Sequence, residues 1–223
     1  NGEAEICDAS SLWGMDTYEV EALLGRETDG KVSVAAIGRA GEKLVRFAAI
    51  MNDGKKGRAA ARCGLGALMG SKKLKAIVVG GNQEIPVFDR ARLKECNKKI
   101  YQSCPRKKLP DVIDDYVEEI KVAFRSGGVP VKNWQGGVFD PGETFAESLR
   151  GAKMGFCSRC PFSDTESMYN AEGERHILWE HWGPVGTNCL IDNVKALQES
   201  FSLCQRYGLD CISTGGVLAF AME

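Results

Sequence analysis

Hydrophobic and polar positions divide the chain into two parts with different periodicities. Over residues 1–84, short apolar runs predict strands at KVSVAAIG (31–38) and LVRFAAIM (44–51), and a buried strand at LKAIVV (74–79). One amphipathic helix is predicted at 17–24. This part of the chain is therefore expected to be a mixed α/β unit.

Beyond residue 85 the pattern changes to the period of helices. The stretch GGNQEIPVFD (80–89) contains the Gly, Asn and Pro residues typical of a linker, which places a domain boundary near residue 85. Helices are predicted at 90–103, 112–124, 143–151 and 193–207. Asp192 is suited to cap the last helix, and Gly208 is suited to end it in the left-handed conformation. Residues 85–223 are therefore expected to be mainly α-helical.

Composition and charge narrow the class of protein. With 43% hydrophobic and 26% charged residues, the 223-residue chain can bury a core, and 29 basic against 30 acidic residues do not favour nucleic acid as a partner. No apolar run reaches the roughly 18 residues of a membrane span, so we expect a cytoplasmic protein. The chain starts without a signal-like segment and stops within the apolar CISTGGVLAFAME, which suggests an internal fragment of a longer protein.

Nine cysteines, an odd number without a secretory signal, favour metal ligation and buried thiols over disulfides. Cys157 and Cys160 have the CxxC spacing with which two thiolates reach one iron–sulfur or zinc centre. A redox disulfide and half of a zinc site are the alternatives. Asp164 occupies the position of a third cysteine in a CxxCxxxC pattern, and is either a carboxylate ligand to iron or an ordinary loop acid.

The basic, glycine-rich segment RCGLGALMGSKK has two interpretations. Gly64, Gly66 and Gly70 lie close to Arg62 and two lysines, so backbone N–H groups and cations could together hold a phosphate. Alternatively, the glycines let a helix pack closely against a sheet. The GxGxxxG spacing differs from the dinucleotide-binding fingerprint.

The segment GERHILWEHWGPVGTNC (173–189) concentrates both histidines, two tryptophans and two glutamates in a short stretch. Glu180 lies between Trp179 and the nearby Trp182, and would act as a general base if these rings desolvate its carboxyl group. The alternative is that Glu180 is a hydrogen-bonded structural residue.

Four blocks of sequence together resemble the tungsten-containing aldehyde ferredoxin oxidoreductase family: GEKLVRFAAIMNDG, RAAARCGLGALMGSKKLKAIVVGG, CSRCP and LCQRYGLDCISTGG. The resemblance implies that residues 1–84 are the end of the family's N-terminal, pterin-binding sheet domain. It implies that residues 85–223 begin the helical domain that holds an iron–sulfur cluster and pterin.

The resemblance also implies cofactors. Family members hold tungsten, or sometimes molybdenum, between two pyranopterins, with a [4Fe-4S] cluster nearby. Cys157 and Cys160 match the first two cluster ligands and Asp164 replaces the third, while the fourth lies beyond this chain. Bridging iron, which some members bind through an ExxH pair, is not expected, because Ser202 replaces the histidine that would follow Glu199.

Family motifs assign further roles to individual residues. The family's pterin-binding DxxGLD segment matches 205–210, which implies pterin contacts for Gln205, in place of the first acid, and for Gly208, Leu209 and Asp210. The loop at 61–66 matches one that approaches the pterin phosphates, which implies contacts for Arg62, Cys63, Gly64 and Gly66. Glu180 aligns with the active-site glutamate, which implies a catalytic acid/base role.

The function expected from this resemblance is interconversion of aldehydes and carboxylic acids at a tungsten bis-pterin centre. Electrons would pass through the [4Fe-4S] cluster to ferredoxin or to an iron–sulfur electron-transfer subunit, and the protein could be a homo-oligomer. A tungsten-dependent reductase of an aromatic thioester is an alternative, because His176 and His181 could donate protons. An iron–sulfur electron-transfer subunit without tungsten chemistry is another.

Overall fold

An antiparallel sheet with three helices forms the first part of the molecule. The computed structural model describes residues 3–28, 32–82, 84–103, 109–136, 142–150, 152–154 and 168–223. Strands β1 (Val32–Ile37), β2 (Ile50–Asn52), β3 (Arg58–Ala60) and β4 (Ala76–Gly80) pair in the order β3-β2-β1-β4. Three helices contact strand β1 of this sheet: α1 (Thr17–Glu27), α2 (Arg39–Glu42) and α3 (Leu65–Ser71). The α/β fold expected for this part is confirmed.

Two strand predictions need correction. Of the predicted strand 44–51, only Ile50 and Met51 belong to β2. The strand does not start earlier because the chain turns at Leu44, which has φ +59° and donates its N–H to the Gly41 carbonyl. Ala48 then pairs with Leu209, far outside the sheet. Strand β4 is not buried as predicted: it is an edge strand, and Val79 is 64% exposed.

Helices dominate the second part, as predicted. They are α4 (Arg90–Ser103), α5 (Leu109–Arg125), α6 (Gly142–Arg150), α7 (Trp179–His181), α8 (Val194–Tyr207) and α9 (Cys211–Met222), with the short hairpin of β5 (Lys153–Met154) and β6 (Met168–Tyr169). The apolar face of α5 packs against α6, in a core that also contains side chains from α8 and from the turn after α7. This core contains Ile113, Tyr116, Ile120, Phe145, Leu149, Trp182, Leu197 and Phe201.

The ends of α8 show one wrong and one confirmed prediction. Asn193, not Asp192, caps the helix, because its side chain is the one that accepts the Ala196 N–H, at 3.0 Å. Gly208 ends the helix in the left-handed conformation with φ +70°, as predicted.

The two parts meet at a short antiparallel contact, which we call the seam: residues 47–49 against residues 208–210. The Ala49 N–H donates to the Gly208 carbonyl at 2.8 Å, and the Asp210 N–H donates to the Phe47 carbonyl at 3.0 Å. Gly38 makes the approach possible, because a Cβ there would lie 2.8 Å from the Arg206 carbonyl oxygen and even closer to Tyr207. The predicted boundary near residue 85 lies between β4 and α4 and stays a prediction.

Candidate cofactor-binding and catalytic site

The seam brings together two predicted cofactor-binding segments that are far apart in sequence. Arg62 Nε lies 3.9 Å from Asp210 Oδ1, and the Asp210 side chain is buried while that of Arg62 is 63% exposed. The other carboxylate oxygen of Asp210 accepts the Ser213 N–H at 3.1 Å and caps α9. Asp210 is therefore fixed by its helix and presents one oxygen to the basic loop.

The glycines of this loop serve close packing. Gly64 has φ +67°, and a Cβ on it would lie 2.6 Å from the Arg46 carbonyl oxygen. Gly66 donates its N–H to the Ala48 carbonyl at 3.0 Å, and a Cβ on it would lie 2.6 Å from the Ala49 carbonyl oxygen. These contacts support the packing interpretation. The side chains of Arg62 and Cys63 are exposed, so the predicted phosphate contact depends mainly on the Arg62 guanidinium.

Gln205 carries a buried hydrogen-bond acceptor without a partner. Its backbone carbonyl accepts the Thr17 hydroxyl at 2.8 Å, which fixes this residue at the end of α8. The side chain is buried, and its Oε1 has no hydrogen-bond partner among the described residues. Gly57, with φ +61°, leaves room beside this amide, because a Cβ there would lie 3.0 Å from Oε1. A buried acceptor of this kind suits a ligand with N–H groups, such as a pterin ring.

The backbone N–H groups of residues 208–210 are committed to the fold. The Gly208 N–H donates to Gln205 at 3.2 Å, the Leu209 N–H to Cys204 at 2.8 Å, and the Asp210 N–H to Phe47. The side-chain acceptors that residues 205–210 can offer to a pterin are the Gln205 amide oxygen and Asp210 Oδ1. The predicted contact of Leu209 would have to come from its side chain or carbonyl.

Glu180 lies on an unusual piece of helix. The turn α7 continues directly into a π-helical turn, Trp182–Gly186, a geometry often found at functional sites. Helix α9 packs tightly on this turn, because a Cβ on Gly215 would lie 2.7 Å from the Pro184 Cβ. Since Asp210 caps α9, the candidate pterin residues and the turn carrying Glu180 are joined through one helix.

Unpartnered buried polar atoms cluster along this turn. Among the described residues, no hydrogen-bond partner exists for Glu180 Oε2, His181 Nδ1, Trp182 Nε1 or Asn188 Oδ1. Each such buried atom costs about 1–3 kcal/mol, so a group of them indicates a site that a ligand completes. Sequence reasoning identified Glu180 but not Asn188, because an asparagine beside a packed cysteine carries no pattern that distinguishes it.

His176 is held through both ring nitrogens, and His181 through Nε2 alone, since its Nδ1 has no hydrogen-bond partner among the described residues. His181 Nε2 lies 3.0 Å from Ser200 Oγ, and that hydroxyl donates its only proton to the Leu197 carbonyl at 2.8 Å, so Nε2 carries the imidazole proton. Burial lowers the pKa of His181 to about 4, and the ring is neutral near pH 7. His176 lies between two carbonyls, with Nδ1 2.8 Å from Ile177 O and Nε2 3.1 Å from Ser148 O.

The predicted cluster ligands Cys157, Cys160 and Asp164 lie outside the described residues, so their role stays a prediction. Among the residues that the structure does describe, no group of three or more His, Cys, Asp or Glu side chains is arranged to hold a metal ion. Cys189 is buried, with Sγ 3.8 Å from the Pro184 carbonyl oxygen, a packing role.

The ExxH position holds no histidine, and Ser202, which replaces it, has another contact. Glu199 is exposed, and the Ser202 hydroxyl donates to Glu174 Oε2 at 2.9 Å. Elsewhere in the described part of the chain, no helix has the length and apolar character needed to cross a membrane.

Comparison with known proteins identifies the family. Residues 1–81 match the model of the aldehyde ferredoxin oxidoreductase N-terminal domain, and residues 116–223 match that of domains 2 and 3 of the same enzymes. The chain therefore belongs to the aldehyde ferredoxin oxidoreductase family.

Individual relatives agree with this result. The chain is 36% identical to the tungsten-containing aldehyde ferredoxin oxidoreductase of Thermococcus kodakarensis and 37% identical to that of Pyrococcus furiosus, in both cases over 98% of its own length and 38% of the relative's. A P. furiosus protein named aliphatic sulfonate oxidoreductase, WOR-like subunit, is 28% identical to this chain. That match covers the whole of this chain and 39% of the P. furiosus protein. The chain thus spans well under half of these relatives.

A solved structure shares the fold. The active-site complex BamBC of benzoyl coenzyme A reductase, in complex with 1,5-dienoyl-CoA, superposes with a TM-score of 0.71 at 23% identity. The match covers 99% of this chain and 36% of that one. At this identity the likeness shows the common fold alone.

Proposed function

We propose that this chain is part of an oxidoreductase that interconverts aldehydes and carboxylic acids with a tungsten bis-pterin cofactor. The relatives that are 36% and 37% identical to it are tungsten-containing aldehyde ferredoxin oxidoreductases. The observation that carries the proposal is the convergence of the two predicted pterin-binding segments at the seam, where Arg62 and Asp210 face each other at 3.9 Å.

The residues at the seam and beside it suit such a cofactor. Arg62 offers an exposed cation for a pterin phosphate, and Gln205 Oε1 and Asp210 Oδ1 are acceptors for ring N–H groups. When bound, the tungsten centre supplies the two-electron oxidation–reduction chemistry. The chain itself contributes binding, orientation and a buried surrounding.

Glu180 is the group proposed to hold and move a proton. Its Oε2 is buried without a partner in the described part of the chain, so this oxygen is available to a ligand. A carboxyl group in such a position can act as general acid or base. Cys157, Cys160 and Asp164 would hold the [4Fe-4S] cluster that passes electrons to ferredoxin or to an iron–sulfur subunit.

The contacts of the histidines favour aldehyde chemistry over reduction of an aromatic thioester. That alternative depends on proton donation by His176 and His181. In the structure the His181 proton is directed at Ser200, and both ring nitrogens of His176 lie beside backbone carbonyls. The shared fold of benzoyl coenzyme A reductase does not by itself change this preference.

Cofactor binding is tested in the full-length protein with Arg62→Gln and Asp210→Asn. The asparagine keeps the helix cap of α9, so loss of the pterin contact is separated from unfolding. We expect tungsten and pterin content to fall several-fold, measured by elemental analysis and pterin release. If both variants keep the tungsten and pterin content of the parent, Arg62 and Asp210 do not belong to the cofactor site.

The catalytic role is tested with Glu180→Gln, which keeps the shape of the side chain and removes its titratable proton. We expect turnover of aldehyde to fall roughly 10²- to 10⁴-fold, the usual contribution of general acid–base catalysis, at unchanged tungsten and iron content. Glu172→Gln, at an exposed position just before the same segment, is the matched control. If activity of the Glu180 variant stays within a few-fold of the parent, Glu180 is structural.

A further inference from the structure

The helical turn that carries Glu180 is capped by a residue from another helix. Leu178 occupies the N-cap position of α7, and its apolar side chain provides no hydrogen bond. The first N–H of the turn, on Trp179, instead donates to the hydroxyl of Tyr116 at 3.0 Å. Tyr116 lies on α5, 63 residues earlier in the chain.

The phenol that provides this cap is held on several sides. Tyr116 is 8% exposed, and its ring centroid lies 5.8 Å from that of Phe145. Phe145 in turn makes an edge contact with Trp182 at 4.9 Å, where the π-helical turn begins. The acceptor for the Trp179 N–H is therefore placed by the same aromatic packing that surrounds the turn.

Glu180 and Tyr116 also influence each other electrostatically. Burial raises the pKa of the Tyr116 phenol, and the negative charges of Glu180 and Glu119 raise it further, against the opposing effects of the Trp179 N–H and Arg175. The phenol therefore stays protonated and neutral, and it accepts the backbone hydrogen bond without introducing a second negative charge beside Glu180.

We propose that Tyr116 is a positioning residue for Glu180: by accepting the first N–H of α7, its hydroxyl fixes the turn from which the Glu180 carboxyl group reaches the substrate site. This inference rests on the proposed function, in which Glu180 manages the proton. Tyr116 itself touches no reacting group in this scheme. Without its oxygen, the Trp179 N–H lacks its partner, and the turn has no other cap at this end among the described residues.

The test uses Tyr116→Phe in the full-length, cofactor-loaded enzyme, since this change removes one oxygen and keeps the ring that packs on Phe145. We expect kcat to fall roughly 10-fold with KM within about two-fold, because one lost hydrogen bond of this kind can raise a barrier by about 1.4 kcal/mol. Amide hydrogen exchange of the peptide spanning 177–183 should accelerate roughly 10-fold. Tyr169→Phe, on β6, is the matched control.

A double variant distinguishes positioning from general destabilisation. If Tyr116 acts through Glu180, adding Tyr116→Phe to Glu180→Gln lowers kcat no further. If Tyr116 has an independent structural effect, the fold-losses in kcat of the two single variants multiply in the double variant. Parental exchange of the 177–183 peptide, or a multiplicative loss in the double variant, would overturn the inference. If Glu180→Gln alone remains active, the proposed catalytic role fails instead, and the exchange experiment still reports on the cap.

Discussion

The carboxylate of Asp16 lies 2.7 Å from both Nε and Nη2 of Arg206, although 190 residues separate the two in sequence. The same carboxylate caps α1 by accepting the Glu19 N–H at 2.9 Å, and Glu19 completes a capping box. The hydrogen bond and charge of Asp16 raise the pKa of Arg206. One acidic side chain therefore connects the start of α1 to the end of α8, beside Gln205.

Replacement of Asp16 separates these two roles. Asp16→Ala should lower the free energy of unfolding by roughly 1–2 kcal/mol, because it removes both the cap and the ion pair to a half-exposed arginine. Asp16→Asn keeps a capping side chain and should cost only about half a kcal/mol. Urea unfolding measures both. Equal losses in the two variants would contradict a role for the cap.

Gly38 and Gly25 should respond in opposite directions to alanine. A Cβ on Gly38 would meet the backbone of residues 206 and 207, so Gly38→Ala should destabilise by at least about 2 kcal/mol and reduce tungsten content by opening the seam. Gly25 lies within α1 with nothing within 4 Å of its added Cβ, so Gly25→Ala should stabilise by about 0.5–1 kcal/mol. Thermal unfolding compares them directly, and a stable Gly38→Ala variant would be inconsistent with the close approach seen at the seam.

Burial of His181 predicts a dependence of stability on pH. Its pKa is lowered from 6.5 to about 4 in the folded state, so the unfolded chain binds the extra proton first as the pH falls. The free energy of unfolding is therefore not reduced by this residue above about pH 6.5. As the pH falls from 6.5 to 4, protonation of the unfolded chain lowers the free energy of unfolding by roughly 3 kcal/mol in total.

The control for this prediction is His181→Gln, which cannot titrate. The free energies of unfolding of parent and variant should be measured at pH 7.5, 5.5 and 4.5. The carboxylates affect both proteins equally, and only the parent loses stability through His181, so the two values should converge as the pH falls. A difference that is independent of pH would show that His181 does not titrate on unfolding.

Much of the architecture follows from local sequence. The apolar spacing of α5 places Ile113, Tyr116 and Ile120 on one face whatever that face meets, and the freedom of Gly208 to adopt φ +70° ends α8 where predicted. The family motifs likewise identify the residues that gather at the seam and Glu180. These features depend on residue type and spacing over a few turns, which the sequence displays directly.

Only the tertiary structure decides how distant segments complete one another. Residues 47–49 read as a continuation of a strand, yet they pair with 208–210, because a backbone N–H takes whichever carbonyl the fold presents. Lys75 is fully buried within an otherwise apolar run, since Glu42 and the Met15 carbonyl meet its ammonium group. The Tyr116 cap arises in the same way: apolar periodicity determines that this ring is buried, and the packing of α5 on α7 determines that its hydroxyl meets the Trp179 N–H.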